Sequence, residues 1–330
     1  MKGSAAASKI TIADVARHAG VSKAVASRAL SPARRPVSDE KRERVLASAK
    51  ELGFRVNLLA QSLTTKTVNL VAVVVNHIHD LSDLDLFDLL IAEIQAAGKQ
   101  VIVIRVGSQG KVEEFLRQGV AYHVDAALVF SDFADAATVR QMFRSDHVVM
   151  LNGRHDEASR AITPDDSQGI DDAVAHAAAN GVKSAVLVTG RATSLVESAR
   201  VAAYRAALKR HRIKLVKALV GDYSYASGRA AADKLPEADA VFCTSDAMAM
   251  GILDGHRAAF SDGGQRHFRL YGFDNLSLLD LAAYPIASIG YDKAAFVDEM
   301  VRMISEPESF TAGQPPVLIP TRFFPRASAE

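Results

Sequence analysis

Lys23, Ala24, Ser27 and Arg28 fall on one side of a short predicted helix, Lys23 to Leu30, while Val25, Ala29 and Leu30 are left to pack inward. That side offers two long basic donors, a hydroxyl and a methyl. Base edges in the major groove present matching groups: paired acceptors on guanine and a methyl on thymine. Other constellations lead to less. His77, His79 and Asp80 end an apolar run, where alternate residues share a side and two imidazoles could meet a metal. Third and fourth ligands at metal-like spacing are lacking, and polar loop residues are the competing reading. GSQGK at 107–111 lacks the leading glycine and final Ser/Thr of a phosphate loop. Neither a G-x-G-x-x-G after the first strand nor a Gly-x-Ser-x-Gly elbow occurs. The single cysteine, Cys243, sits in the apolar run AVFC and reads as a small core residue rather than a nucleophile. No catalytic residue, metal or cofactor is expected.

The elements that position Lys23 and Arg28 lie on either side of them. In ITIADVARHAGVSKAVASRAL, residues 10–30, Thr11 and Asp14 have the spacing of a capping box. Ile12, Val15, Ala16 and Ala19 recur at helical spacing, Gly20 stops the helix, and Val21 plugs the turn. Ser22 caps the helix that follows. Two helices joined this tightly, the second with a basic outer face, have helix-turn-helix geometry, although a small helical hairpin with solvated charges fits this stretch as well. Val37, Ser38, Asp39 and Glu40 open a third helix, with the serine as cap. Its apolar stripe is Val45, Leu46, Ala49 and Leu52, and Gly53 ends it. Charge is uneven along the chain. Residues 1–64 carry 12 Lys+Arg against 5 Asp+Glu, and the remainder 27 against 33, within a formal net charge of +1. A basic start on an acidic body points to a local polyanion contact.

Residues 54–67, FRVNLLAQSLTTKT, hold a predicted two-turn helix, Leu58 to Leu63, capped by Asn57. A helix that short is marginal in water on its own, and a plain linker is the other reading. From Val68 onward apolar runs alternate with amphipathic segments. Strands are expected near 70–75, 101–106, 125–130, 147–151, 185–189, 215–220, 239–243 and 268–272. Helices are expected near 84–97, 111–118, 135–144, 167–180, 194–210, 225–235 and 246–259. Near-continuous apolar strands imply parallel sheets covered on both faces, which bind ligands at the carboxyl ends of their strands. At 330 residues there is room for two or three domains. Neither a signal peptide nor a stretch near ~18 apolar residues is visible, so a cytoplasmic protein without membrane contact is expected.

The segments TIADVARHAGVSKAVASRAL, VSDEKRERVLASAKELGF and NLLAQSL, in that order and spacing, resemble the LacI/GalR family of bacterial transcription regulators. DDSQGIDDAVAHAAANGV, SARVAAYRAAL, GDYSYASG, TSDAMAMGIL and YGFDN extend the resemblance to about residue 325. It implies an N-terminal all-α helix-turn-helix domain over 1–56, a hinge helix or linker over 57–66, and an α/β core over 67–330. The core would have two periplasmic-binding-protein-like lobes, parallel sheets with flanking helices. The chain would cross between them three times, with lobe one about 68–160 and 292–319 and lobe two about 161–291 and 320–326. The partners implied are double-stranded operator DNA, a small-molecule effector between the lobes and a second copy of the chain in a homodimer. The effector would be a sugar or sugar derivative, with a nucleobase also within the family's range, and either inducer or corepressor. The alternative is an enzyme acting on a sugar or nucleotide with an accessory DNA-binding domain.

The resemblance also assigns residues. Lys23, Ala24 and Arg28 fall on the base-reading positions. Ser22, Ser27 and Thr11 would hold phosphates. In the hinge, Asn57 caps, Ala60 meets the other subunit's hinge, and Leu63 wedges into the minor groove. Arg200 and Asp274 fall on the family's ligand-binding arginine and aspartate, a donor and an acceptor suited to a polyol. Tyr223 stands at an aromatic platform, and Ser245, beside Asp246, replaces a usual asparagine. Asn76, His77, Asn152 and Tyr291 match strand ends lining the cleft. The chain also departs from the pattern. Val25 and Ala26 replace threonine and valine, and Val56 replaces a proline. NHIHDLSDLD, the stretch Asp262–Phe268 and PIAS each differ at the cleft or its rim. The first two bear on the operator sequence and Val56 on the pre-organisation of the hinge, whereas the last three imply an unusual effector or a degraded site.

Overall fold

The computed structural model describes residues 10–31, 36–54, 68–76, 81–118, 123–151, 154–259, 268–309 and 311–330. The chain divides into two compact units, Met1–Val68 and Asn69–Glu330. The expected hinge helix, with Asn57, Ala60 and Leu63, lies outside the described residues. So do His77, His79, Asp80, Asn152 and most of the 262–268 stretch.

The first unit has three helices: α1 Ile12–His18, α2 Lys23–Ala29 and α3 Asp39–Glu51. They enclose a small core of Val15, Ala16, Ala19, Ala26, Ala29, Val45 and Ala49. Ala26 is fully buried while Val25 is only half-buried, so the inward face of α2 is Ala26 and Ala29. Small residues there let α2 lie close against α1. Leu46, placed by spacing in the stripe of α3, is instead 48% exposed, and Ser48 takes the inward position. Ser38 occupies the N-cap position of α3, but its side chain makes no capping bond.

The second unit carries eleven strands. They are β1 Leu70–Val75, β2 Gln100–Arg105, β3 Ala126–Val129, β4 Val148–Met150, β5 Arg160–Asp165 and β6 Ser184–Thr189. β7 Lys214–Val220, β8 Ala240–Cys243, β9 Arg269–Phe273, β10 Ala287–Tyr291 and β11 Val317–Phe324 follow. The helices between them are α4 Leu81–Ala96, α5 Gln109–Arg117, α6 Ala136–Phe143, α7 Asp166–Ala179, α8 Leu195–Arg210, α9 Tyr225–Ala232, α10 Asp246–Ala259 and α11 Lys293–Ser305. The strands hydrogen-bond in the order β2-β1-β3-β4-β5-β11-β10-β9-β8-β6-β7. Every pairing is parallel except β10 with β11. Read from each edge inward, β2-β1-β3-β4-β5 and β7-β6-β8-β9-β10 repeat one topology. Each half therefore has a switch point, beside β1 and beside β6, where a parallel sheet opens a crevice at its carboxyl ends.

Two halves follow from packing. In the first, Val71, Val73, Phe87, Leu90 and Leu128 share a core with Phe296, Val297, Met300, Met303 and Ile304 of α11. In the second, Ile170, Val174, Leu187, Tyr204, Phe242 and Tyr271 do the same. We refer to them as lobes one and two. The five apolar side chains of α11, each worth roughly 1.5–3 kcal/mol on burial, fix that late helix to lobe one. The central strands β1, β3, β4, β6 and β8 are almost continuously buried, as strands covered on both faces must be. The edge strand β7 is mostly exposed. The chain passes between lobes in β5, after β10, and in β11, which pairs with β5 through Val317–Pro320 and with β10 through Thr321–Phe324.

The eight strands expected from apolar runs are all present, within one or two residues at their ends. β5, β10 and β11, and the helix α11, are additional to those expectations; of the first two, neither has the sequence pattern of a covered strand. β5 reads RAITPD, half-exposed with a proline, and β10 reads ASIGY, with small residues throughout. Neither presents an apolar run. The stripe of α11 at 296, 297, 300, 303 and 304 is a plain helical period that the strand–helix alternation did not draw attention to.

Candidate functional site

Local capping sets the geometry of the first unit. The Thr11 backbone N–H donates to Asp14 Oδ2 at 2.9 Å, and the Thr11 hydroxyl accepts from the Asp14 N–H at 3.4 Å. The Thr11 side-chain and backbone bonds hold the Asp14 carboxyl below its ordinary pKa. Gly20 turns the chain at φ +64, a conformation glycine adopts without strain. The Ser22 hydroxyl then accepts from the Val25 N–H at 3.3 Å and starts α2. Two arginines of α3 close the ends of the other helices. Arg44 donates to the carbonyls of Ala19 at 2.9 Å and Gly20 at 3.3 Å, and Arg42 donates to the carbonyl of Ala29 at 3.1 Å. Each guanidinium meets carbonyls at the negative end of a helix. Thr11, Ser22, Lys23, Ala24, Ser27 and Arg28 are all exposed. Arg28 folds back over its own helix, its Nε donating to the Ala24 carbonyl at 3.2 Å.

The second unit has a cleft of about 910 Å³, open to solvent and lined from both lobes. Lobe one contributes Asn76, Phe87, Phe130, Asp132 and Leu151, and lobe two Arg191, Ser194, Arg200, Tyr223 and Asp274. Pro164, Tyr291 and Phe296 line it at the crossings. Most of these follow the carboxyl end of a strand, where the two switch points predict a ligand site. Of the residues singled out from sequence, Asn76, Arg200, Tyr223, Asp274 and Tyr291 converge here. Ser245 does not line the cleft. It is 2% exposed, and its hydroxyl accepts from the Met248 N–H at 3.3 Å and donates to the Tyr223 carbonyl at 3.2 Å. Asn76 is committed to the fold, its amide bonded to Asp132 at 3.0 Å and its carbonyl oxygen to Ser131 at 2.7 Å.

Arg200 is the centre of the polar wall. Its Nε donates to Asp166 at 2.8 Å and its Nη1 to the Thr244 carbonyl at 2.9 Å, and the guanidinium lies 3.5 Å from the centre of the Phe273 ring. Burial alone would lower its pKa. Asp166, Asp274 and Glu197 outweigh burial and raise it, so Arg200 is a permanent cation. Glu197, one helical turn earlier, is 2% exposed and accepts from Gly190 N at 2.6 Å, Thr244 Oγ1 at 2.8 Å and Tyr223 Oη at 2.9 Å. Burial and the neighbouring Glu197 push the Tyr223 phenol up, so it stays a donor. Its ring packs on Gly190, where a side-chain Cβ would come within 2.0 Å of the ring. Behind this wall Asp246 is fully buried and accepts from Leu276 N at 2.9 Å and Ser288 Oγ at 2.7 Å. Burial outweighs those bonds and pushes its carboxyl up from 3.8 to about 7. Burial also raises the Cys243 thiol, which is inert core.

The sequence reading missed Glu197, Asp132 and Arg191. Glu197 had a signal, three residues before Arg200 on one helix face. Asp132 had only its place just beyond a strand. Among the described residues the arrangement offers a fixed cation, carboxylates and aromatic faces, and no nucleophile activated by a base.

Two family models match the chain: bacterial regulatory proteins of the lacI family over residues 11–57, and the periplasmic binding protein-like domain over 174–329. The HTH-type transcriptional regulator AscG of Escherichia coli (strain K12) is 27% identical over 307 residues, 88% of this chain and 90% of that protein. Catabolite control protein A of Priestia megaterium is 28% identical over 296 residues, 85% and 87% of the two chains. Residues 11–57 match the lacI family, and the chain is similar to its regulators along most of its length. Among solved structures, a lac repressor dimer bound to operator and the anti-inducer ONPF shares the fold, with a TM-score of 0.79 at 22% identity over 97% of this chain and 99% of that one. A complex of the regulator CelR with cellobiose gives 0.68 at 22% identity, with 97% and 99% covered. The curated relatives that it matches are transcriptional regulators. Among the described residues, no helix is long and apolar enough to cross a membrane.

Proposed function

We propose that this regulator is a cytoplasmic repressor that binds a pseudo-palindromic operator as a homodimer. Its operator affinity is set by a small molecule, a sugar or sugar derivative, held in the cleft. The chain then reads as a DNA-binding unit over 1–56, a hinge over 57–66 and a two-lobed core over 67–330. Lys23, Ala24 and Arg28 read bases, Ser22, Ser27 and Thr11 hold phosphates, and Asn57, Ala60 and Leu63 serve the hinge. Asn76, His77, Asn152, Arg200, Tyr223, Ser245, Asp274 and Tyr291 are the effector residues. Of these, Asn76 and Ser245 act by positioning neighbours.

One observation carries this reading: Arg200, a cation held by Asp166 and the Thr244 carbonyl, lines the same cleft as the Asp274 carboxylate. A guanidinium donates to hydroxyl oxygens and a carboxylate accepts from hydroxyls, which suits a polyol. The effector acts through its differential affinity for two lobe arrangements, and a coupling of about 1–3 kcal/mol is enough to change operator occupancy.

The test uses an operator duplex selected with the full-length protein and a panel of neutral sugars and glycosides. At least one member is expected to change operator affinity, roughly 5- to 150-fold. Asp274→Asn is expected to abolish that response while leaving ligand-free operator affinity within about twofold of the parent. An unchanged response in Asp274→Asn would place effector recognition elsewhere.

A further inference from the structure

Asp85 is on α4 in lobe one. Ser277 begins a 3-10 turn, Ser277–Asp280, in lobe two. Far apart in sequence, they are joined by two bonds: Ser277 N donates to Asp85 Oδ2 at 2.9 Å, and Ser277 Oγ donates to Asp85 Oδ1 at 2.9 Å. Lys293, the first residue of α11, donates to Asp85 Oδ2 at 3.3 Å and to the Asn275 carbonyl at 2.9 Å. Burial would raise the Asp85 pKa. The Ser277 donors and Lys293 outweigh it and hold the carboxyl below its ordinary value.

Lobe-one side chains thus grip the lobe-two loop at both 275 and 277. That loop also carries Asp274, which lines the cleft at φ +106, followed by Asn275 at φ +47. A backbone in this conformation is held by its surroundings rather than by its own preference. The grip comes from the opposite lobe, so it lasts only while the lobes are together.

We propose that Asp85, with Lys293, is a clasp across the cleft that holds the lobes closed and positions Asp274. The loop keeps its lobe-two bonds, Asp274 N to the Ile289 carbonyl at 2.7 Å and Asn275 N to Ser288 Oγ at 3.1 Å, so parting the lobes frees only its contacts at 275 and 277 with lobe one. Asp85 and Lys293 are positioning residues, since the ligand-facing group is Asp274. The link from clasp to operator rests on the function proposed above, whereas the clasp itself is tested without DNA.

The full-length protein is labelled with a dye pair at two introduced cysteines, Glu113→Cys in lobe one and Lys234→Cys in lobe two, both exposed positions. The native Cys243 is fully buried and stays unlabelled. Energy transfer between the dyes reports lobe separation. Asp85→Ala is expected to add a second distance population, with the open fraction raised roughly a hundredfold, the effect of losing both Ser277 bonds to a charged group at about tenfold each. Ser277→Thr keeps both donors and is expected to retain the parent distribution. Ser277→Ala removes only the hydroxyl bond and is expected to fall between the two. If Asp85→Ala opens the lobes without changing operator affinity, the clasp stands and the effector-linked function fails. A single parent-like distribution in folded Asp85→Ala and Ser277→Ala would overturn the clasp.

Discussion

Asp246 shows how one buried carboxyl governs the wall behind the cleft. Both its oxygens are bonded, to Leu276 N and Ser288 Oγ, yet burial lifts its pKa from 3.8 to about 7. The folded state therefore keeps the proton to a higher pH than the unfolded chain. The stability this supplies is complete below about 4 and is lost as pH rises through about 7. Urea unfolding of the parent should show that decline. Asp246→Asn, which mimics the neutral acid, should unfold at nearly constant urea over the same range. The Ser288 hydroxyl can turn to the Ile289 carbonyl, 3.3 Å away, and so accept from the new amide. A decline in Asp246→Asn equal to the parent's would assign it to other groups. Individual residues were legible unevenly. The basic face of α2 could be read from spacing alone, because a seven-residue helix sets its own neighbours. Arg200 and Asp274 stood out only through family resemblance, since nothing local to either residue brings positions so far apart together. The bond between Asp85 and Ser277 left no trace in either local sequence.

The helix ends are where elements become a unit. α1 and α2 have seven residues each, too short to persist alone. Their carbonyl ends are closed by Arg44 and Arg42 from α3. Arg44→Ala should lower the stability of the first unit by about 1–2 kcal/mol, and Arg42→Ala by a similar amount. Either change should weaken operator binding without altering its sequence preference. Thermal unfolding together with binding to operator and scrambled duplexes checks both expectations. A lost preference would mean these arginines contact bases. The strands most easily read from sequence were those buried on both faces, whose apolar runs are continuous. The crossing strands β5 and β10 were not legible. They join two sheets, are half-exposed or built from small residues, and owe their conformation to partners late in the chain: β11 pairs with both.

On the scale of the whole molecule, two like-ordered halves are joined by strands that belong to both. Each half opens a crevice beside its switch strand, β1 or β6, and the two crevices form one cleft. The charge asymmetry, basic over residues 1–64 and acidic beyond, suits the proposed contact of the first unit with a polyanion, since like charge repels the rest of the chain from it. Contacts to phosphate release counterions, so binding should weaken steeply with salt. The measurement that tests the account most directly is selection of bound duplexes from a random pool by the full-length protein at moderate salt. Lys23→Ala and Arg28→Ala are carried in parallel. The account predicts a palindromic consensus around a flexible central step, with relaxed preference at one base pair per half-site in Arg28→Ala. Salt-sensitive binding with no consensus, the same for parent and both variants, would contradict it.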